Sequence, residues 1–221
     1  MILDDVKLIQ YSKGETILNS LTHGAGTLFG FAAFFACLIK AARVGGAVTI
    51  AAASLYGISM IILYSSSTIY HAFPDGTVKK ILRMVDHSMI YLLIAGTMTP
   101  IALLTLMKYS PARAWLLLFF AWGGLIAGVL ATVFSFEKTK VLQMVLYIGI
   151  GWVSLIAVRP LIRSFDRAGF WLILAGGVVY TLGVIFYGLG RKVKYMHALF
   201  HVFVLGGSVL HFIAIFQYVI V

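Results

Sequence analysis

The chain has 221 residues, of which 62% are hydrophobic and 11% charged, and its mean hydropathy is +1.02. These values exclude a water-soluble fold, which needs far more polar surface to cover its apolar volume. The formal net charge of +10 would suggest nucleic acid in a soluble protein. Here, however, Lys and Arg collect at the ends of apolar runs, where lipid headgroups and membrane topology account for them, so no nucleic-acid partner is expected.

A helix crossing about 30 Å of hydrocarbon needs roughly 20 residues without a solvated charge. Residues 16–39, 44–74, 88–107, 114–136, 141–158, 168–190 and 195–221 contain no Asp, Glu, Lys or Arg, and each run is 18 residues or longer. The runs are continuously apolar, whereas the strands of a transmembrane barrel would alternate. The expected fold is therefore an all-α integral membrane protein, a seven-transmembrane-helix bundle. It forms one domain over residues 1–221, with helices near 16–39, 48–72, 84–107, 114–136, 140–162, 168–190 and 195–219. The first run is too long for a cleaved signal sequence and contains His23, so it is kept as the first span.

Seven spans place the N-terminal tail on the same side as the second, fourth and sixth connectors. That side collects ten of the 17 basic residues, and the other side seven. The positive-inside rule then puts the N-terminus in the cytoplasm and the C-terminus outside, in the inner (plasma) membrane of the cell. Cys37 is the single cysteine, so no intrachain disulfide can form. Gly26 and Gly30, Gly124 and Gly128, and Gly206 and Gly207 allow close helix contact, within one bundle or across a possible dimer.

Ionisable groups inside a membrane helix are costly and usually serve a site. In chain order, Glu15, Asn19 and His23 follow one another at i+4 on the first span, a polar stripe that lines or braces whatever lies beside it. Ser67 and His71 share a face at the end of the second span, and Asp86, followed by His87, opens the third. His197 and His201, in the run HALFH of the seventh span, lie on one face about 6 Å apart along the axis. The ends of these spans must meet at one membrane face. His211 is fourteen residues beyond His197, about 21 Å further along the helix, and is excluded from the same ion.

Three neutral imidazoles, from His71, His197 and His201, suit Zn2+ with a fourth position open, the arrangement of a catalytic rather than a closed structural site. Iron, nickel or copper could also use such ligands. His23 lies deeper and is expected to support the site rather than to ligate, with Glu15 and Asn19 beside it.

At these positions, E15-x3-N19-x3-H23, S67-x3-H71, Asp86 and H197-x3-H201 resemble the hemolysin III proteins, the bacterial branch of the progestin and adipoQ receptor family. The resemblance runs over the whole chain. That family is similar to alkaline ceramidases within a wider superfamily of membrane hydrolases. It implies zinc on His71, His197 and His201, with Ser67 and Asp86 approaching a zinc-bound water.

Zinc would acidify that water and polarise a carbonyl. Asp86 would orient the water or take its proton, and Ser67 would donate a hydrogen bond to the oxyanion. A site at the inner leaflet meets acyl chains, so membrane lipids, and among them a lipid amide or ester, are the expected partners. A non-catalytic lipid sensor or membrane-homeostasis factor with structural zinc, and a haemolytic pore-forming protein, remain the alternatives. No protein partner is implied.

Overall fold

In the computed structural model, residues 2–164, 166–190 and 192–221 are described. Helix α1 (Lys13–Val44) begins at a capping box. Ser12 Oγ accepts from the Glu15 amide, and Glu15 Oε2 accepts from the Ser12 amide at 3.0 Å. Two orphan donors of the first turn are thereby satisfied. The buried residues Glu15, Asn19, His23, Gly26, Gly30, Ala33, Cys37 and Ala41 recur every three or four positions and form one stripe. Its first three members are polar and the rest small or thiol-bearing, so α1 presents hydrogen-bonding groups near its start and a smooth surface beyond.

Helix α2 (Ala47–Ala72) packs along that smooth surface. A Cβ at Gly26 would fall 2.4 Å from the Tyr64 ring, and one at Gly57 would fall 2.6 Å from the Phe34 ring. Each helix gives up a side chain to seat an aromatic ring of the other, a close approach that hydrocarbon solvent does not itself drive. Helix α3 (Thr77–Pro100) continues through a π-helical stretch, Ile101–Leu106, into α4 (Met107–Tyr109), and this continuous span is the most deeply buried of the long helices. Pro100 has no amide hydrogen to offer the Gly96 carbonyl, and the backbone widens to longer-range bonding just after it.

Helix α5 (Pro111–Phe134) starts on a proline, where a missing amide hydrogen leaves nothing unsatisfied. Helix α6 (Lys140–Trp152) passes through a 3-10 segment, Val153–Ala157, into α7 (Val158–Ser164). Helix α8 (Arg167–Leu189) is capped by Asp166, whose Oδ1 accepts from the Ala168 amide at 2.8 Å. Helix α9 (Met196–Ala214) ends in a second π-helical stretch, Ile215–Val219.

Among the described residues, six helices are long and apolar enough to cross a membrane: Lys13–Val44, Ala47–Ala72, Thr77–Tyr109, Pro111–Phe134, Arg167–Leu189 and Met196–Val219. No strand occurs among the described residues. Leu28, Phe119 and Ile185 point outward, as they must where the solvent is lipid. The chain is a multi-pass helical membrane protein.

The span expected at 140–162 differs from a single straight helix. It runs as α6, the 3-10 segment and α7, and its apolar helical part, Lys140–Ile156, is shorter than the other six. Pro160 cannot donate to the Ile156 carbonyl, and the tighter turn sits immediately before that gap. The glycine pairs are used inside the chain. A Cβ at Gly124 would meet Ile150, one at Gly128 the Tyr91 ring, and one at Gly207 the Tyr180 ring, each within 3 Å.

Gly26→Val should therefore lower the melting temperature in detergent, by an overpacking cost of about 1–3 kcal/mol. Gly123→Ala, where a Cβ meets nothing within 4 Å, should leave it unchanged. Equal melting temperatures for the two variants would contradict this packing.

Candidate metal centre

Four helices bring polar groups to one end of the bundle. His71 lies in the last turn of α2, Asp86 and His87 in the first half of α3, and His197 and His201 in the first two turns of α9, while Glu15, Asn19 and His23 descend the start of α1. His71, His197 and His201 are all buried and present ligand atoms within 4.8 Å of one another. His197 Nε2 is 3.3 Å from His71 Nε2 and 3.1 Å from His201 Nε2. Tetrahedral zinc with Zn–N bonds of 2.0–2.1 Å holds its nitrogens about 3.3–3.4 Å apart; the two separations at His197 Nε2 nearly match this, while the third pair, His71 and His201, lies within 4.8 Å.

The ring of His201 shows which nitrogen is available. Its Nδ1 lies 3.2 Å from the Asn19 carbonyl oxygen and 3.1 Å from Thr22 Oγ1. The Thr22 hydroxyl hydrogen is already directed to the Leu18 carbonyl at 2.8 Å. Both neighbours therefore act as acceptors, Nδ1 carries the hydrogen, and Nε2 turns a bare lone pair towards the other two imidazoles. One hydrogen on His197 Nε2 could serve only one of its two neighbours. A cation shared by the three rings satisfies all of them, so the donor set fits a metal ion.

Several groups around the cluster have no hydrogen-bond partner in the protein: Ser67 Oγ, both ring nitrogens of His23, and the side-chain amide of Asn19, all buried. Buried polar atoms rarely stay unpaired, and their concentration here marks a place built to hold something polar.

The residues expected to support the site do so in different ways. Glu15 braces the scaffold: its Oε1 accepts from the Tyr195 amide at 3.1 Å, and its other oxygen is used in the α1 cap. Tyr195 has a positive φ of 66° and stands two residues before His197. Glu15 thus secures a backbone conformation that non-glycine residues rarely adopt, at the point where α9 is aimed. Asn19 acts through its carbonyl. His23 stacks on His201, with ring centroids 3.6 Å apart and planes 19° from parallel, but stands outside the three-histidine group. His87 stands outside the three-histidine group but lines the cavity beside Asp86, its Nδ1 donating to the Arg83 carbonyl at 2.9 Å and lying 3.5 Å from Asp86 Oδ2.

Asp86, Ser67, His23, His197 and His201 all line one cavity of about 150 Å³. From this polar end it runs between α3, α6, α8 and α9 along apolar walls that include Ile94, Val184 and Val204.

Two groups here escaped the sequence reading. Tyr187 of α8 lines the cavity and places its hydroxyl 3.4 Å from His87 Nε2. Tyr11 lies over the histidines: its ring stacks against His197 at 5.5 Å and 29°, and approaches His71 at 5.8 Å. It belongs to a strap, residues 2–12, tied to the connectors beside the site. Lys80 Nζ donates to the Leu3 carbonyl at 3.1 Å, Gln10 Nε2 to Asp75 Oδ2 at 3.1 Å, and the Glu137 amide to Asp5 Oδ2 at 3.2 Å. The Lys79 and Gln10 hydrogen bonds hold the Asp75 carboxyl below the usual range, keeping that anchor charged. No spacing rule could reach Tyr11, because a charged tail before the first span carries no helical period.

Fold and site together define a multi-pass helical membrane protein with a buried three-histidine centre at one end of an apolar cavity. Its family is shown by comparison with known proteins: residues 11–212 match the haemolysin-III-related family, and the chain belongs to it. It is 38% identical over 214 residues to Hemolysin-3 of Bacillus cereus, covering 97% of this chain and 95% of that protein. The Hemolysin-3 homolog of Bacillus subtilis (strain 168) is 39% identical over 207 residues, with 92% and 94% covered. The human Monocyte to macrophage differentiation factor is 27% identical over 169 residues, with 74% and 68% covered. No solved structure matches the chain.

Purified protein loaded with Co2+ should show the intense visible absorption of a tetrahedral site, and His71→Ala should abolish it. Tyr11→Ala should keep the absorption but release the ion to an added chelator several-fold faster, since the ring covers His197. An unchanged release rate would mean that the strap does not control access.

Proposed function

We propose that this chain is a zinc-dependent hydrolase of a membrane lipid amide or ester, crossing the inner (plasma) membrane of the cell seven times with its N-terminus in the cytoplasm. The observation that carries the reading is the meeting of two features that packing alone does not require. Three converging Nε2 atoms adjoin an apolar cavity that His197 and His201 line together with a carboxylate and an unpartnered hydroxyl.

His71, His197 and His201 would hold the ion, which when bound supplies a Lewis acid that acidifies water and polarises a carbonyl. Asp86 shares the cavity and is the one carboxylate in its lining, which suits it to orient the attacking water and take its proton. Ser67 lies one turn before His71 on the same face, with a hydroxyl that no protein group engages, which suits it to donate to the developing oxyanion. The apolar walls suit an acyl chain. Asn19 and His23 sustain the orientation of His201, and Glu15 the start of α9.

The second reading is a lipid sensor with structural zinc. It is favoured by the origin of all three ligands on α2 and α9, which the ion would tie together, and by the Tyr11 ring over them. Haemolysis, which the names of the bacterial relatives express, would call for a pore. No polar stripe of charges runs through the depth of this bundle among the described residues, so a pore has little physical support.

The test is metal analysis followed by assay of fatty acid release from a panel of lipid amides and esters. The hydrolase reading expects one equivalent of zinc, lost on replacing the three histidines by Ala, and turnover abolished by Asp86→Ala and reduced about 10²-fold by Ser67→Ala. Zinc without turnover across the panel would favour the sensor. Protein that takes up no metal would overturn both.

A further inference from the structure

His211 takes no part in the histidine cluster, yet it lines the same cavity at the far end. It lies ten residues beyond His201 and fourteen beyond His197, about 15–21 Å along α9 at 1.5 Å per residue. Its placement is built: a Cβ at Gly176 would fall 2.3 Å from His211 Cδ2, so α8 omits a side chain to seat the ring. His211 Nε2 lies 3.0 Å from the Ile173 carbonyl oxygen. A carbonyl only accepts, so Nε2 carries the hydrogen and Nδ1 is a bare acceptor. That Nδ1 is buried, with no partner in the protein.

The other polar groups at this end have already committed their hydrogens. Thr97 Oγ1 donates to the Leu93 carbonyl at 2.7 Å, Thr181 Oγ1 to the Gly177 carbonyl at 2.8 Å, and Trp152 Nε1 to Thr181 Oγ1 at 3.0 Å. Tyr180 Oη, which also lines this end, lies 2.7 Å from Ser208 Oγ and donates to it, so the groups that line the deep end offer acceptors and no free donor. It repels a carboxylate or phosphate, and it leaves a terminal methyl facing an unsatisfied lone pair. A water molecule needs two to four partners and would find none here to donate to it. An alcohol hydroxyl needs one acceptor for its one hydrogen.

We propose that the deep end of the cavity is a second binding subsite, in which His211 Nδ1 accepts a hydrogen bond from a hydroxyl carried on the hydrocarbon chain of the bound lipid. The span from the metal centre corresponds to roughly 12 to 16 extended methylenes, so the hydroxyl belongs near the tail of the chain. The inference rests on the lipid reading above and adds the chemistry of the chain.

Binding to purified wild type in detergent is measured for hexadecanoic acid, its ω-hydroxy derivative and its α-hydroxy derivative. A plain apolar pocket penalises a tail hydroxyl. This subsite instead binds the ω-hydroxy acid about fivefold more tightly than the parent, the gain of one net hydrogen bond, and gives the α-hydroxy acid no such gain. His211→Phe, which keeps a ring, removes the ω-hydroxy advantage and leaves the parent affinity in place. Equal or weaker binding of the ω-hydroxy acid to wild type overturns the subsite while the lipid reading stands, and this comparison does not depend on how the variant folds. Failure of all three acids to bind removes the lipid reading and the subsite together.

Discussion

The structure turns on imidazole nitrogens placed where there is almost no water to bond to. Inside hydrocarbon an unpaired polar group costs several kcal/mol, so every histidine in the bundle needs a partner supplied by the protein or by what it binds. His201 is served on one side by the Asn19 carbonyl and Thr22, and this fixes the nitrogen it turns inward. That requirement explains why the buried stripe of α1 is polar at one end only. It also explains why Glu15 reaches across to the Tyr195 amide: a small rotation at the start of α9 would move two ligands together, since His197 and His201 share one rigid helix.

Such alignment demands helices that lie close and stay in place. Lipid tails are as apolar as the side chains they would be exchanged for, so shape must do what the hydrophobic effect does in water. Gly26 against Tyr64, Gly57 against Phe34 and Gly128 against Tyr91 are fits of this kind, and they set α1 against α2 and α3 against α5. Tyr64 has a double role: beyond its contact with Gly26, it meets the edge of His23 at 5.1 Å and donates to Ser208 on α9 at 2.7 Å. The residue that spaces α1 from α2 thus also links the site to the interior of α9.

Much of this was legible in the sequence for a definite reason. The long spans could be read from charge spacing because a backbone in lipid must satisfy itself and cannot tolerate frequent solvated charges. The histidine cluster could be read because i,i+4 spacing on a helix is a statement about geometry. The interruption in the span at 140–162 could not, because a search for charges is blind to Pro160. Asn19 could be seen as a member of a polar stripe, but not as the backbone carbonyl that accepts from His201 Nδ1, because every residue has a carbonyl. Tyr11 was invisible because its contact is made by the strap folding back across connectors that are distant in sequence.

The polarity of the cavity also bears on how a lipid would arrive. In the proposed orientation the metal centre lies towards the cytoplasmic face and the apolar walls extend away from it, so a lipid of the inner leaflet already points the right way. Such a lipid would have no need to carry its headgroup through hydrocarbon, a step that is costly for any polar group. The length of the cavity sharpens the point. A leaflet is about half of the 30 Å hydrocarbon core, whereas His211 stands about 15–21 Å from the centre along α9. A chain that reaches it is drawn out to full extension and passes the bilayer midplane, where a free lipid tail is disordered. The strap lays Tyr11 over the histidines of the same site, its ring stacked against His197.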